Sequence, residues 1–168
     1  MPEILLSPLR DQDVPQLVAL INDPAVEKNT LTIPFPYRKE DALAWLDRVQ
    51  EARERHGDWM NWAIREREEG PLLGSIGLMG HDKPGTDEVG YWLGRPFRGQ
   101  GIMPRAIELV ASIAAGRGIE RLQAKVFTYN EASRRALEKS GFRFLRVLPH
   151  DAVKHGQPQD VWLLERQL

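Results

Sequence analysis

The sequence predicts a mixed α/β fold built on one sheet, and three observations carry that expectation. Three short apolar-rich runs separated by turn residues occupy the middle of the chain, amphipathic segments of helical period lie on both sides of them, and the last third alternates helix and strand. A chain of 168 residues is large enough to bury a core without staples, so one domain over 1–168 is expected.

The elements follow in order. "EILLSPLR" reads as a short strand, and "DQDVPQLVALI" as a helix capped by Asp11 with Val14, Leu17, Val18 and Ile21 on one side. Pro24 opens a short helix in "NDPAVEKNT", and two prolines make "LTIPFPYRKE" a loop. "KEDALAWLDRVQEARER" is helical, with Leu43, Leu46 and Val49 turned inward and Ala42 and Trp45 beside them. "WMNWAIRE", "PLLGSIGLMG" and "DEVGYWLG" are consecutive antiparallel strands joined through "REREEGP" and "HDKPGTD". "PRAIELVASIAAGRG" is a helix stopped near Gly116 or Gly118, "IERLQAKVFT" a strand, and "NEASRRALEKSG" a helix with Gly141 past its end. "FRFLRVLP" and "QDVWLLERQ" are the last two strands, and "PHDAVKHGQPQDVW" between them reads as a long loop.

Composition removes several classes of function. No cysteine occurs, which excludes disulfides, thiolate nucleophiles and cysteine-ligated zinc. A formal net charge of −1 with both signs interspersed provides no bulk field to hold nucleic acid. No run approaches membrane-spanning length and "MPEILLSPLRDQD" has no basic or cleavable leader, so a soluble cytoplasmic protein with no membrane partner is expected. The four histidines lack metal-ligand spacing, and no metal is expected.

"RPFRGQGIMPRAIELV" is the most informative stretch. A strand, a turn with Gly94, Gly99 and Gly101, then a helix gathers unpaired backbone N–H groups at the positive end of a helix dipole, an arrangement that binds phosphate. Glycine lets the ligand approach the amides and reaches dihedrals closed to other residues. The amides of Arg98 to Met103 are the candidate cradle, with charge from Arg95, Arg98 and Arg105. The turn also reads as a plain tight connection with solvated arginines. It is not a Walker loop, because no Gly-Lys-Ser or Gly-Lys-Thr follows, and its spacing does not match a dinucleotide fingerprint.

"RGQGIM" resembles the acyl-CoA pyrophosphate loop of the Gcn5-related N-acetyltransferase (GNAT) superfamily, whose pattern is Arg/Gln-x-x-Gly-x-Gly/Ala. "FTYNEASRRALEKSGF" resembles the second half of that fold, an Asn-x-x-Ser helix followed by Glu-Lys-x-Gly-Phe. Together with "LRDQDVPQLVALINDPAV", "PFPYRKEDALAWLDRV" and "DEVGYWLG", the chain is similar from Leu9 to Leu164 to the subgroup of ribosomal-protein N-terminal serine and alanine acetyltransferases. The resemblance implies a central twisted, mostly antiparallel sheet splayed in the middle and flanked by helices. It implies acetyl-CoA as cofactor, an amine-bearing acceptor, and a monomer or homodimer. Arg98, Gly99, Gln100, Gly101, Ile102 and Met103 would wrap the pyrophosphate. Asn130 and Ser133 would lie along the pantetheine arm, and backbone groups of Trp92 and Leu93 would pair with pantetheine amides as an added strand does. The superfamily's leaving-group tyrosine on the last helix is replaced here by Leu137.

Without cysteine, direct attack of an amine on the thioester remains, and Leu93 N–H is the candidate donor to the carbonyl. The acceptor decides how strong a base is needed. An α-amine with pKa about 8 is easier to present neutral at pH 7.5 than a lysine side chain at about 10.4, by roughly 3 kcal/mol. Glu88 is the candidate base, as it is in the resembling subgroup, and it also reads as a solvated hairpin-end residue. Strand alternation puts Glu88, Gly90 and Trp92 on one face and Val89, Tyr91 and Leu93 on the other, so one of the two faces is expected to line the cleft. Phe35, Tyr37, Tyr91, His150, Asp151 and His155 are candidates for the acceptor side, with the histidines, His81 included, reading equally as surface loop residues. Acetylation of a protein N-terminus, acetylation of a small amine such as an amino acid, polyamine or antibiotic, and a non-catalytic CoA-binding protein all stay open at this point.

Overall fold

The computed structural model describes residues 2–81 and 83–168; Met1 and Asp82, the latter within the expected turn 81–87, lie outside the described residues. The chain runs β1 (Leu5–Ser7), α1 (Val14–Ile21), α2 (Pro24–Asn29), α3 (Lys39–His56), β2 (Asn61–Arg65), β3 (Gly74–Leu78), β4 (Thr86–Leu93), α4 (Ile102–Gly116), β5 (Arg121–Phe127), α5 (Glu131–Lys139), β6 (Arg143–Lys154) and β7 (Gln157–Gln167). One seven-stranded sheet has the order β1-β2-β3-β4-β5-β7-β6. Every pairing is antiparallel except β4 with β5. This is the mixed, mostly antiparallel sheet expected, with helices on both faces.

Two apolar cores fix those helices. Ile102, Met103, Ala106, Ile107 and Val110 of α4, with Leu137 of α5, pack on Ile76, Val89, Leu122 and Leu164. On the opposite face Leu17 and Ile21 of α1 and Ala42 and Val49 of α3 pack on Ala63, Leu72 and Trp92. In α3 the buried stripe is 42, 45, 46, 49, the i, i+3, i+4, i+7 pattern of one helical face. Leu43 falls about a quarter turn off that stripe and is exposed, not inward as the sequence suggested.

Two further expectations change. Asp11 does not cap α1; it begins a short 3-10 turn, and Asp13 at the junction is the acid that matters. Asp13 accepts the Arg10 N–H at 2.8 Å and receives both terminal nitrogens of buried Arg65, at 2.8 and 2.5 Å. Arg65 also donates to Ser7 Oγ at 2.7 Å and to the Gly70 carbonyl at 3.1 Å, so one guanidinium ties β1, the α1 entry and the β2–β3 turn together. The stretch 149–162 is not a long loop. It is a continuation of β6 and β7, closed by the two-residue turn His155–Gly156 with φ of 51° and 75°, as hairpin twist requires. A register irregularity between Leu148 and Ala152 places His150 at φ 53°. Both strands are largely exposed there, so no apolar alternation marks them.

The buried ion pair generates a stability prediction. Asp13→Ala strands a charged guanidinium in the core and is expected to cost about 3–5 kcal/mol in urea unfolding. Replacing the pair together, Asp13→Leu with Arg65→Met, is expected to cost far less than that single change.

Candidate active site

β4 and β5 are hydrogen-bonded neighbours only at Thr86–Arg121, Asp87–Leu122 and Glu88–Gln123. β4 runs on along β3 to Leu93 and β5 runs on along β7 to Phe127, so the two part after Glu88 and leave a gap in the sheet. The β3–β4 ladder has Met79 N–H on the Glu88 carbonyl and Gly94 N–H on the Leu73 carbonyl. With that parity, Glu88, Gly90 and Trp92 spend their backbone groups on β3, while those of Val89, Tyr91 and Leu93 face the gap. Free strand-edge groups next to the opening therefore belong to Tyr91 and to the Leu93 N–H, the Leu93 carbonyl being taken by Arg98, and not to Trp92. A cavity of about 1200 Å³ fills the gap and reaches both faces of the sheet, lined by Glu88 to Leu93 on one side and Ala124 to Phe127 on the other.

Gly99, Gly101, Ile102 and Met103 line the same cavity where α4 begins. Gly99 and Gly101 have φ of 73° and 76°, dihedrals that favour glycine, and a Cβ at Gly99 would stand in open space. Among the described residues, no protein acceptor takes the N–H groups of Gly99, Gln100, Gly101, Ile102 or Met103, so five donors are left unspent at the helix start. Gln100 folds its side chain back on the Pro96 carbonyl at 2.9 Å.

Arg98 is placed differently from the rest of the loop. Its N–H donates to the Arg95 carbonyl at 3.3 Å, its Nε to the Leu93 carbonyl at 3.1 Å, and its Nη2 to Asp23 at 2.9 Å. Arg95 holds the other Asp23 oxygen at 2.7 Å. Asp23 also accepts the Ala25 N–H at the start of α2, so one carboxylate joins α2 to the loop. The Arg95 hydrogen bond outweighs burial and draws the Asp23 pKa from the ordinary 3.8 to about 2.

On the α4/α5 face, the Tyr91 hydroxyl shares a 2.6 Å hydrogen bond with Ser133 Oγ. Asn130 caps α5 by accepting the Ser133 N–H at 3.2 Å, which fixes the turn that presents this serine. Burial raises the Tyr91 hydroxyl to about 12, so it remains a proton donor throughout the physiological range. Leu137 is fully buried one turn further along. Tyr91 therefore lies with α5, on the face opposite Glu88, and the expectation that one face of β4 alone would line the cleft is corrected: an open sheet exposes both.

On the α1/α3 face, Glu88 lines the cavity with its carboxylate 3.1 Å from His81 Nε2. Tyr37, Trp45 and Arg48 line it from above and Asn61 and Ser75 from the sheet. Met79 lies across Gly90, where an added Cβ would collide with the methionine methyl. Asp151 lines the cavity and pairs with Lys125 at 3.0 Å. Phe35 and His150 are exposed and do not line it; His150 turns to Asp160, whose carboxylate accepts its N–H at 2.9 Å. The tip of the β6–β7 hairpin reaches α2: Lys154 Nζ donates to the Thr30 carbonyl at 2.5 Å and pairs with Glu27 at 3.3 Å, and His155 lies 2.6 Å from Glu27. Among the described residues no group of three or more His, Cys, Asp or Glu is placed to hold a metal ion.

An open mixed sheet with a helix-start amide loop beside the gap defines the GNAT fold, and the chain belongs to that family: residues 3–143 match the acetyltransferase (GNAT) domain. It is 34% identical over 103 residues to the uncharacterized N-acetyltransferase YoaA of Bacillus subtilis (strain 168). That match takes in 60% of this chain and 58% of the relative, so the chain spans less than two thirds of the relative's length. Among solved structures it is similar to the microcin C7 self-immunity acetyltransferase MccE in complex with acetyl-CoA and AMP, at TM-score 0.87 and 21% identity, covering 100% of this chain and 94% of that one. It is also similar to a ribosomal-protein-alanine N-acetyltransferase from Brucella melitensis, at TM-score 0.73 and 24% identity, covering 98% and 99% of the two chains.

The Asp23 bridge carries its own pH signature. Its folded pKa lies below the ordinary value, so its stabilisation is present above about pH 4 and lost as pH falls through 2. With the arginines partly exposed, the loss is on the order of 1 kcal/mol. Asp23→Asn is expected to lower Tm at pH 7 and to flatten the stability profile between pH 4 and pH 2, checked by thermal unfolding across that range.

Proposed function

We propose that the chain transfers an acetyl group from acetyl-CoA to a primary amine by direct attack, without a covalent enzyme intermediate. The observation that carries this reading is one cavity that joins an unspent amide cradle, a free β4 edge, a carboxylate on one sheet face and a hydroxyl pair on the other. The residues present fit acetyl-CoA: five unspent N–H groups suit a pyrophosphate, and the open edge at Tyr91 and Leu93 suits the pantetheine amides. Bound there, acetyl-CoA supplies a thioester, an acyl group on a tolerable leaving thiolate.

The chain's own groups do the rest. Leu93 N–H polarises the acyl oxygen. Glu88 holds the incoming ammonium and accepts its first proton, directly or through water, so that the amine nitrogen bonds to the acyl carbon; the second proton, lost as that nitrogen becomes an amide, passes to solvent. As the carbon–sulfur bond breaks, the Tyr91–Ser133 pair hands a hydroxyl proton to sulfur and is reprotonated from solvent. This pair occupies the role left open by Leu137.

The leading acceptor is the α-amine of a protein or peptide N-terminus, which a modest base such as Glu88 serves at neutral pH. A small-molecule amine is the second reading. It is favoured by the hairpin tip lying against α2 at the cavity rim, and by likeness in fold to MccE, whose structure holds AMP.

Two tests follow. Glu88→Gln is expected to lower kcat about a hundredfold with acetyl-CoA affinity unchanged, whereas Gly101→Glu is expected to weaken acetyl-CoA binding more than tenfold by calorimetry. No calorimetric binding of acetyl-CoA to the unaltered chain would end the proposal. Tyr91→Phe is expected to lower kcat at least tenfold with ordinary thioester donors, and far less with an acyl donor whose leaving thiol is strongly acidic, measured as thiol release.

A further inference from the structure

Charged side chains line the cavity in pairs, with one conspicuous exception on the acceptor face. Glu88 meets His81, Arg98 meets Asp23, Lys125 meets Asp151, and Arg135 lies 3.8 Å from Glu131. Lys139 is on the α5 side. Arg48, one turn beyond Trp45 on the same face of α3, lines the α1/α3 side with no carboxylate within 4.0 Å among the described residues. Its charge acts on Tyr37, a cavity-lining phenol whose hydroxyl makes no hydrogen bond among the described residues. Burial, reinforced by Asp41, raises that hydroxyl to about 12, so it stays a donor. Asp41 accepts the Arg38 N–H at 2.8 Å and does not line the cavity, and its carboxylate acts on the Tyr37 hydroxyl against Arg48, so the guanidinium is the principal anion contact.

A guanidinium and a protonated phenol that line one cavity, neither with an internal acceptor among the described residues, are donors available to an anion. Glu88 in the same cavity is suited to an ammonium. We infer that the acceptor is an amine that also carries an anionic group, a carboxylate or a phosphate, which docks on Arg48 and the Tyr37 hydroxyl while the amine lies at Glu88; this rests on the transfer reading above. Trp45 offers an apolar surface for the part of the acceptor between the two charges.

The experiment uses the full chain with acetyl-CoA and matched acceptors: phenylalanine, its dipeptide and its tripeptide, each as free carboxylate and as carboxamide, plus O-phosphoethanolamine beside ethanolamine. The carboxylate or the phosphate member of at least one pair is expected to show kcat/KM at least tenfold above its neutral partner, with the preference shrinking as salt rises. Which arm responds identifies the anion. Arg48→Gln is expected to abolish the preference while leaving acetyl-CoA affinity unchanged, and Arg48→Glu to invert it. Equal rates within every pair, or a preference that survives Arg48→Gln, overturns the inference.

A binding arm separates this from the transfer reading. N-acetylated carboxylates and O-phospho-N-acetylethanolamine, which cannot react, are titrated into the CoA-bound protein and into the Arg48→Gln variant. At least one is expected to bind the unaltered chain at least tenfold tighter than the variant. Equal or undetectable binding to both overturns the role of Arg48, whatever the turnover. Absence of thiol release with every acceptor, alongside a preserved binding difference, removes the transfer reading and keeps the anion site.

Discussion

The separation of β4 from β5 after three paired residues is the constraint on which the rest of this molecule depends. A closed sheet would hide the backbone of Tyr91 and Leu93 in a ladder and divide the molecule into two faces with no passage between them. Because the strands part beyond Glu88, the edge of β4 is unpaired and one cavity touches both faces. Side-chain alternation then works as a sorting rule. Glu88 is delivered to the α3 side and Tyr91 to the α5 side, three residues apart in sequence and on opposite walls of one opening.

The loop into α4 depends on a second device, the Asp23 carboxylate. Two arginines that read in the sequence as charge for a phosphate are both turned onto this one acid, which draws α2 and the loop together. The positive character left at the helix start comes from backbone N–H groups. Those groups are fixed by φ at Gly99 and Gly101, so they need no side-chain ordering when an anion arrives. The arginines hold the frame and the main chain offers the charge.

Much of this was legible in the sequence. Each helix and strand of the central part announces itself by period, and the glycine turn by its position between a strand and an apolar helix. What was hidden has physical reasons. The ends of β6 and β7 are largely exposed and carry few apolar residues, so 149–162 shows little alternation to read. Leu43 is a single apolar residue off the buried stripe of α3, which only packing reveals. The pairing of His81 with Glu88, of Ser133 with Tyr91 and of Asp23 with Arg95 and Arg98 joins residues from 7 to 75 positions apart, and no local pattern encodes them. Arg48 and Trp45 were visible as a charged and an aromatic residue one turn apart, but their cavity appears only when α3 is laid over the sheet.

Met79 resting over Gly90 bears on how wide a range of molecules this scaffold can accommodate. The floor of the trough is bare backbone, and its covering is a single unbranched thioether, half exposed and free to rotate about three bonds. Space over Gly90 is thereby bounded by one side chain and not by main chain, so a change of its rotamer alters that space with the strand register untouched. Replacement of that one side chain during divergence would retune selectivity without disturbing the machinery beneath it.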